Sequence, residues 1–187
     1  MQYVNSAGAT TTNIVANNFG GTWTVYRTSL NVSSGASVNQ PSSISGIGTQ
    51  VAQFNFTAGT GYDALVKTVT MNNTGALVQA STTVVLGLYD AAAPSTVLAT
   101  STATSTNNMT FNMNGTTGWT IPAGTTKTLI VKEYSAPTGL VAVTSGTGSY
   151  QASIQAVTWN DSVVNIASLD PTISLPIGGQ NLTNLSN

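Results

Sequence analysis

The chain has 187 residues, of which only 5% are charged, against about 25% in an average soluble protein. Its length suits one domain or one large sandwich, and 41% hydrophobic residues rule out a disordered polymer. With no cysteine and no histidine, disulfides, thiolate metal sites and histidine-based catalytic triads are excluded.

Residues 1–21 are polar, with a weak alternation through Thr12, Ile14 and Ala16. Thr22 to Val32 reads as a strand, with a bulge near Tyr26-Arg27 reconciling the spacing of Trp23, Val25, Leu30 and Val32. Ser33 to Gly48, rich in serine and glycine, reads as the longest loop. It is a place for short strand pieces or for binding. Gln50 to Ala58 is a strand, with Ala52, Phe54 and Phe56 on one face. Ala64 to Met71 follows, and Asn72 to Gly75 reads as a turn. Ala76 to Ala80 and Thr83 to Tyr89 are the next strand pieces, and Thr96 to Thr106 suits an exposed edge strand.

Met109 to Lys132 reads as strand, turn, short strand, turn, strand, around Asn114-Gly115 and Pro122 to Gly124. Gly139 to Thr144 and Tyr150 to Trp159 read as a hairpin around Ser145 to Gly148, with Ala152, Ile154 and Ala156 facing inward. Ser162 to Ala167 is a candidate to complete it. Thr172 to Ile177 alternates Ile173, Leu175 and Ile177, and Pro171 and Pro176 suit an edge. Gly178 to Asn187 reads as a polar tail. No helix is expected. About ten to twelve short strands predict an all-β fold, a single β-sandwich of immunoglobulin-like or jelly-roll topology with extended terminal segments. It divides into residues 1–21 as a terminal segment, 22–170 as the sandwich, and 171–187 as an edge strand with a polar tail.

The chemistry is mostly exclusion. The five acids are spread singly and there are only four basic residues, so no basic patch for nucleic acid is present, and Gly59 to Gly61 and Gly146 to Gly148 are turn glycines rather than a phosphate-binding loop. No apolar run reaches the eighteen or so residues of a membrane span, and no nucleophile motif is present. The expectation is a protein that is not an enzyme and needs no cofactor or metal. Three side readings remain open: a calcium site assembled from Asp63, Asp90 or Asp161 with carbonyls; a sugar platform from Trp23, Trp119 and Trp159 with the tyrosines; and an amide cross-link from Lys67, Lys127 or Lys132 to an Asn or Asp beside an acid, of the kind some bacterial pilins carry. With so few groups titrating between acid and neutral pH, stability is expected to depend weakly on pH. That property, with few basic sites for proteases, suits an extracellular location. The N-terminus does not read as a signal peptide, so a secreted chain implies a leader removed or replaced.

Asn-x-Ser/Thr triplets occur at Asn31, Asn55, Asn72, Asn108, Asn114, Asn160, Asn181 and Asn184. As a set they fit a surface glycoprotein of a glycosylating organism such as an archaeon, whose glycans would supply the hydration that charge does not.

Phe54 to Ala58, Leu65 to Asn73, Val84 to Asp90 and Trp119 to Val131 resemble the repeating β-sandwich modules of prokaryotic surface proteins. The resemblance covers roughly residues 50 to 134. One such domain with polar ends is similar to the subunits of archaeal thread and bundling-pilus filaments and of bacterial biofilm fibres. That resemblance implies a homopolymer built by donor-strand complementation, in which a terminal strand fills a neighbour's sheet. The expected donor is the N-terminal segment around Thr12, Ile14 and Ala16, with Ile173, Leu175 and Ile177 as the alternative. The competing expectation is an adhesin, a carbohydrate-binding domain or a surface-layer module.

Overall fold

A computed structural model describes residues 2–4, 10–12, 27–79, 81–104, 108–113, 118–140, 142, 146–161 and 175–186; of 2–4 and 10–12 only the backbone is described. The described residues are all-β and contain no helix. In chain order the strands are β1 (Gln2–Val4), β2 (Thr10–Thr12), β3 (Leu30–Ser34), β4 (Gln50–Ala58), β5 (Ala64–Thr74), β6 (Thr83–Asp90), β7 (Val97–Thr104), β8 (Met109–Asn112), β9 (Trp119–Ile121), β10 (Thr126–Thr138), β11 (Gly148–Asn160), β12 (Ile177–Gly178) and β13 (Leu182–Leu185).

Two antiparallel sheets pack face to face as a β-sandwich. One has the order β3-β4-β10-β6-β7. In the other, β11 and β5 form the centre; β12 and β13 flank β11, while β8 and β9 share the far side of β5. β1 and β2 form a separate two-stranded sheet.

Period-two alternation builds the core between the sheets. β4 contributes Ala52, Phe54 and Phe56, β6 contributes Val84, Leu86 and Leu88, and β10 contributes Leu129 and Val131, all fully buried. From the other sheet come Val66, Val69 and Met71 of β5, Phe111 of β8, and Ala152, Ile154 and Trp159 of β11. The strands near Ala58, Ala64, Asp90, Thr126 and Asn160 meet at one end of the sandwich. Gln50, Thr74, Thr83 and Gly148 mark the opposite end.

Several expectations are corrected. The strand placed at Thr22 to Val32 starts at Leu30; Arg27 to Ser29 lie outside it, and 22–26 lie outside the described residues. Asn72 to Thr74 are not a turn but continue β5, because Asn73 points into the core. The turn falls at Gly75, whose positive φ of 124° and close approach to the Ser149 carbonyl exclude a side chain. Ala76 to Gln79 are therefore turn, not strand, although Leu77 is fully buried.

Among the described residues the hairpin expected between Gly139 to Thr144 and Tyr150 to Trp159 is not formed: Gly139, Leu140 and Ala142 belong to no strand, and 141 and 143–145 lie outside the described residues. β10 runs on to Thr138 in one sheet, and β11 lies in the other. Ala156 does not face inward with Ala152 and Ile154. The ladder to β5 shifts between Ile154 and Ala156, so a bulge at Gln155 turns Val157 and Trp159 into the core instead.

Nor is Gly178 to Asn187 a polar tail. β13 pairs with β11, and Leu182 and Leu185 are fully buried. Asn184, with φ of 55°, breaks the alternation so that leucines three residues apart share one face. Upstream of it, a Cβ on Gly179 would come within 2.6 Å of Ala152 O and 2.9 Å of Ala52 Cβ, so no side chain fits there. The segment is fastened to the 40–43 loop through Gln40 Nε2 to Thr183 O at 2.7 Å and Ser186 N to Ser42 O at 2.7 Å. The expected edge strand at Thr96 to Thr106 is present as β7, and the Met109 to Lys132 stretch holds the three expected strands β8, β9 and β10.

Candidate functional site: polar latches, a buried acid and open sheet edges

The side chains of Arg27, Asp63, Asp90, Lys127 and Asp161 gather at one end. Arg27 Nε donates to Asp161 Oδ2 at 2.7 Å, with both side chains almost inaccessible, and the guanidinium stacks 4.3 Å from the centre of the Tyr62 ring. Asp90 joins the sheets: Lys127 Nζ donates to its Oδ2 at 2.8 Å, and Trp119 Nε1 of the facing sheet donates to the same oxygen at 2.9 Å. Burial pushes the Asp90 carboxyl up, but Lys127, Trp119 and the Ala92 N–H together hold it below its ordinary range. Asp63 accepts the Ala123 N–H at 2.8 Å.

Each of the three aspartates proposed for calcium is thus engaged by a donor of the chain. Among the described residues no three His, Cys, Asp or Glu side chains gather to hold a metal. One lysine and one aspartate of an amide cross-link touch, but the buried acid Glu133 is not beside them. Lys127 forms an ion pair with Asp90, and Lys132 reaches the Pro94 carbonyl at 2.9 Å on the outer face. Lys67 lies where β5 skips a residue in its ladder to β11. None of these lysines is brought to the buried acid Glu133.

Glu133 lies at the opposite end, at a core position of β10 on the same face as Leu129 and Val131. It is fully buried, and neither carboxylate oxygen has a hydrogen-bond partner. Burial pushes its carboxyl up to about 9, so it is a neutral acid at pH 7. Its neighbour across the core is Tyr150, whose hydroxyl donates to Asn73 Oδ1 at 2.7 Å. Burial, and then the Glu133 charge, push that phenol up. This group tempers the expectation of pH-independent stability.

The tryptophans do not form a platform. Trp119 and Trp159 are buried, and Trp23 lies outside the described residues. The exposed aromatics are tyrosines. Tyr134 is 47% exposed at a bulge of β10, near Tyr89. The Tyr89 ring lies over Gly87, where a Cβ would come within 2.9 Å of it, and Lys132 Nζ is 4.8 Å from its centre.

Of the sequon residues, Asn31, Asn108, Asn181 and Asn184 are exposed. Asn55 accepts a hydrogen bond from Thr128 at 2.9 Å, and Asn72 donates to Asn108 at 3.3 Å. Asn160 is buried, and Asn114 lies outside the described residues.

Of the expected donor residues, Thr12 pairs with Gln2 in the small sheet, and Ile14 and Ala16 lie outside the described residues. Ile173 also lies outside. Leu175 and Ile177 pack against the core, and Ile177 pairs with Ile154 of β11. Two outermost strands of the five-stranded sheet carry one partner each: β3 pairs with β4, and β7 with β6. Sequence reasoning missed Glu133 and the Leu182–Leu185 anchor. The first was legible in the alternation of β10; the second had no period-two signal.

No protein-family model matches the sequence, and comparison with the curated proteins finds no match either.

Proposed function

We propose that the chain is a non-enzymatic structural subunit of an extracellular surface filament, which polymerises when a terminal strand of one copy adds to the sheet of the next. The observation that carries this reading is the contrast between the two ends of the chain. Leu175 to Ser186 is already built into its own sandwich through β12, β13 and two buried leucines. β1 and β2 hydrogen-bond only to each other among the described residues. An isolated two-stranded sheet is marginal in water and gains stability by joining a larger one. That favours the N-terminal segment as donor, and a strand added head to tail gives an open filament.

Electron microscopy of concentrated protein, with and without residues 1–17, tests the reading. Regular filaments from the full chain and folded monomers from the deletion are expected. Filaments that survive the deletion overturn the N-terminal donor, and a full chain that stays monomeric overturns polymerisation.

The second reading, an adhesin or carbohydrate-binding module, is favoured by exposed Tyr134 beside Tyr89 on the outer face of the five-stranded sheet. Aromatic faces of this kind suit the apolar face of a sugar ring. A monomer whose tyrosine signals shift on titration with saccharides would support it.

A further inference from the structure

We infer that the outer edge of β7 is the acceptor to which the N-terminal segment of a second copy adds, as a sixth strand of the five-stranded sheet. The inference rests on the filament reading above and names the surface that reading requires.

β7 is the longest of the outermost strands. It has eight residues, against five in β3, four in β8, three in β9, and two and four in β12 and β13. It pairs with β6 alone; its other edge carries no ladder bonds among the described residues, and β8 of the other sheet runs beside part of it. Proteins normally blunt such an edge with lysine, proline or an inward charge. Val97 to Thr104, VLATSTAT, has none of these. Its β-formers are Val97 and three threonines; Thr100, Thr102 and Thr104 are exposed and Ala103 is buried against the core. An edge this long, uncharged and free of proline is a template for another strand.

The occupant follows from composition and reach. Residues 1–26 contain no charged residue, and neither do residues 91–126, which include β7. Pairing these two segments therefore buries no charge. Residues 13–26, fourteen in all, can span at most about 46–50 Å at 3.3–3.6 Å per residue. That matches the roughly 43 Å length of a thirteen-residue strand at 3.3 Å per residue, so the connector can carry β1 and β2 clear of their own sandwich. The connector joins the sandwich beside β3, at the sheet edge opposite β7. An arm leaving one edge and adding to the other edge of the next copy makes a heterologous contact that repeats without closing. Within one chain both elements are present, yet among the described residues β1 pairs only with β2 and β7 only with β6, which favours a second copy over self-completion.

The test places a photoreactive benzophenone amino acid at Thr102, an exposed position on β7. It uses the full chain and equal amounts of ¹⁴N- and ¹⁵N-labelled subunits. Cross-linked peptides are identified by mass spectrometry. The expected product joins β7 to a peptide within residues 1–26, in pairs of mixed isotope, and it disappears when residues 1–17 are deleted. Cross-links to residues 1–26 confined to one isotope overturn the second copy as occupant. Cross-links from β7 to β7, or to β3, overturn the N-terminal segment as occupant. Filaments that form with no cross-link to residues 1–26 overturn the acceptor edge while the filament reading stands. A full chain that neither polymerises nor cross-links between copies overturns both.

Discussion

Replacing Glu133 by glutamine should change how stability varies with pH while leaving the fold in place. In the folded chain the carboxyl is buried without a partner and titrates near 9, against 4.5 for an ordinary glutamate. A raised pKa means that the folded state holds the extra proton. Its stabilising effect is fully present below about pH 4.5 and is lost as pH rises toward 9. Over that window stability falls by about 1.4 kcal/mol per pH unit. Between pH 5 and pH 7 the loss is about 2.7 kcal/mol. With about 2–4 °C per kcal/mol for a domain of this size, the melting temperature drops by roughly 5–11 °C. The full interval would amount to about 6 kcal/mol, comparable to the whole stability of a typical domain at 5–15 kcal/mol. Local opening around Glu133 therefore sets in before the upper limit is reached. Glu133→Gln keeps the volume and removes the proton. Urea unfolding at pH 5, 6, 7 and 8 should give a falling midpoint for the natural chain and a nearly flat one for the variant, with the variant the more stable above pH 6. Equal slopes, or a natural chain indifferent to pH across this range, would refute the assignment of Glu133 as a dry, neutral acid.

Leu182→Ala and Leu185→Ala should each destabilise the chain by about 2–4 kcal/mol, as expected for fully buried leucines; values below 0.5 kcal/mol in urea melts would mean that β13 is not part of the core. Asp90→Asn removes an ion pair whose side chains are 32% and 13% exposed and weakens its hold on the Trp119 indole; a loss of about 1 kcal/mol is expected, smaller at high salt, together with a shift in tryptophan emission. The opposite pH response belongs to this carboxylate, whose contribution is present above its ordinary range near 3.8 and is lost as pH falls through its lowered folded value. Peptide mapping of native material should find any glycans at exposed Asn31, Asn108, Asn181 or Asn184 and none at buried Asn160; a modified Asn160 would require the β11 terminus to open.

Strands whose alternation is uninterrupted were legible in the sequence. Gln50 to Ala58 and Thr83 to Tyr89 needed only the period-two rule, because every second residue meets the facing sheet. Bulges and a left-handed residue defeated the same rule elsewhere. The extra residue at Gln155 exchanged Ala156 for Val157, and Asn184 brought Leu182 and Leu185 onto one face. Glu133 was visible and missed: alternation puts it with Leu129 and Val131, against the general preference of charges for water. The long-range order of the strands was not legible. β6 and β7 are chain neighbours, but β10 inserts between β4 and β6, a long-range choice that local pattern does not encode.

The distribution of charge separates what holds one copy from what would join two. The ion pairs Arg27–Asp161 and Lys127–Asp90 lie at one end and the lone acid Glu133 at the other, while residues 1–26 and 91–126 are uncharged. If β7 receives the N-terminal strand, the contact is made of backbone hydrogen bonds and small Thr, Ser and Ala side chains. Such a joint has no charges for salt to screen and no metal for a chelator to remove. Filaments should therefore keep their length in 1 M salt and in chelator. They should weaken in alkali, where ionisation of Glu133 loosens the sandwich that presents β7. In Glu133→Gln filaments that alkaline weakening should shift to higher pH or vanish. Light scattering across a pH and salt grid reads both effects. Filaments that shorten in salt at neutral pH would place charged residues at the joint and move the contact to the Arg27–Asp90 end.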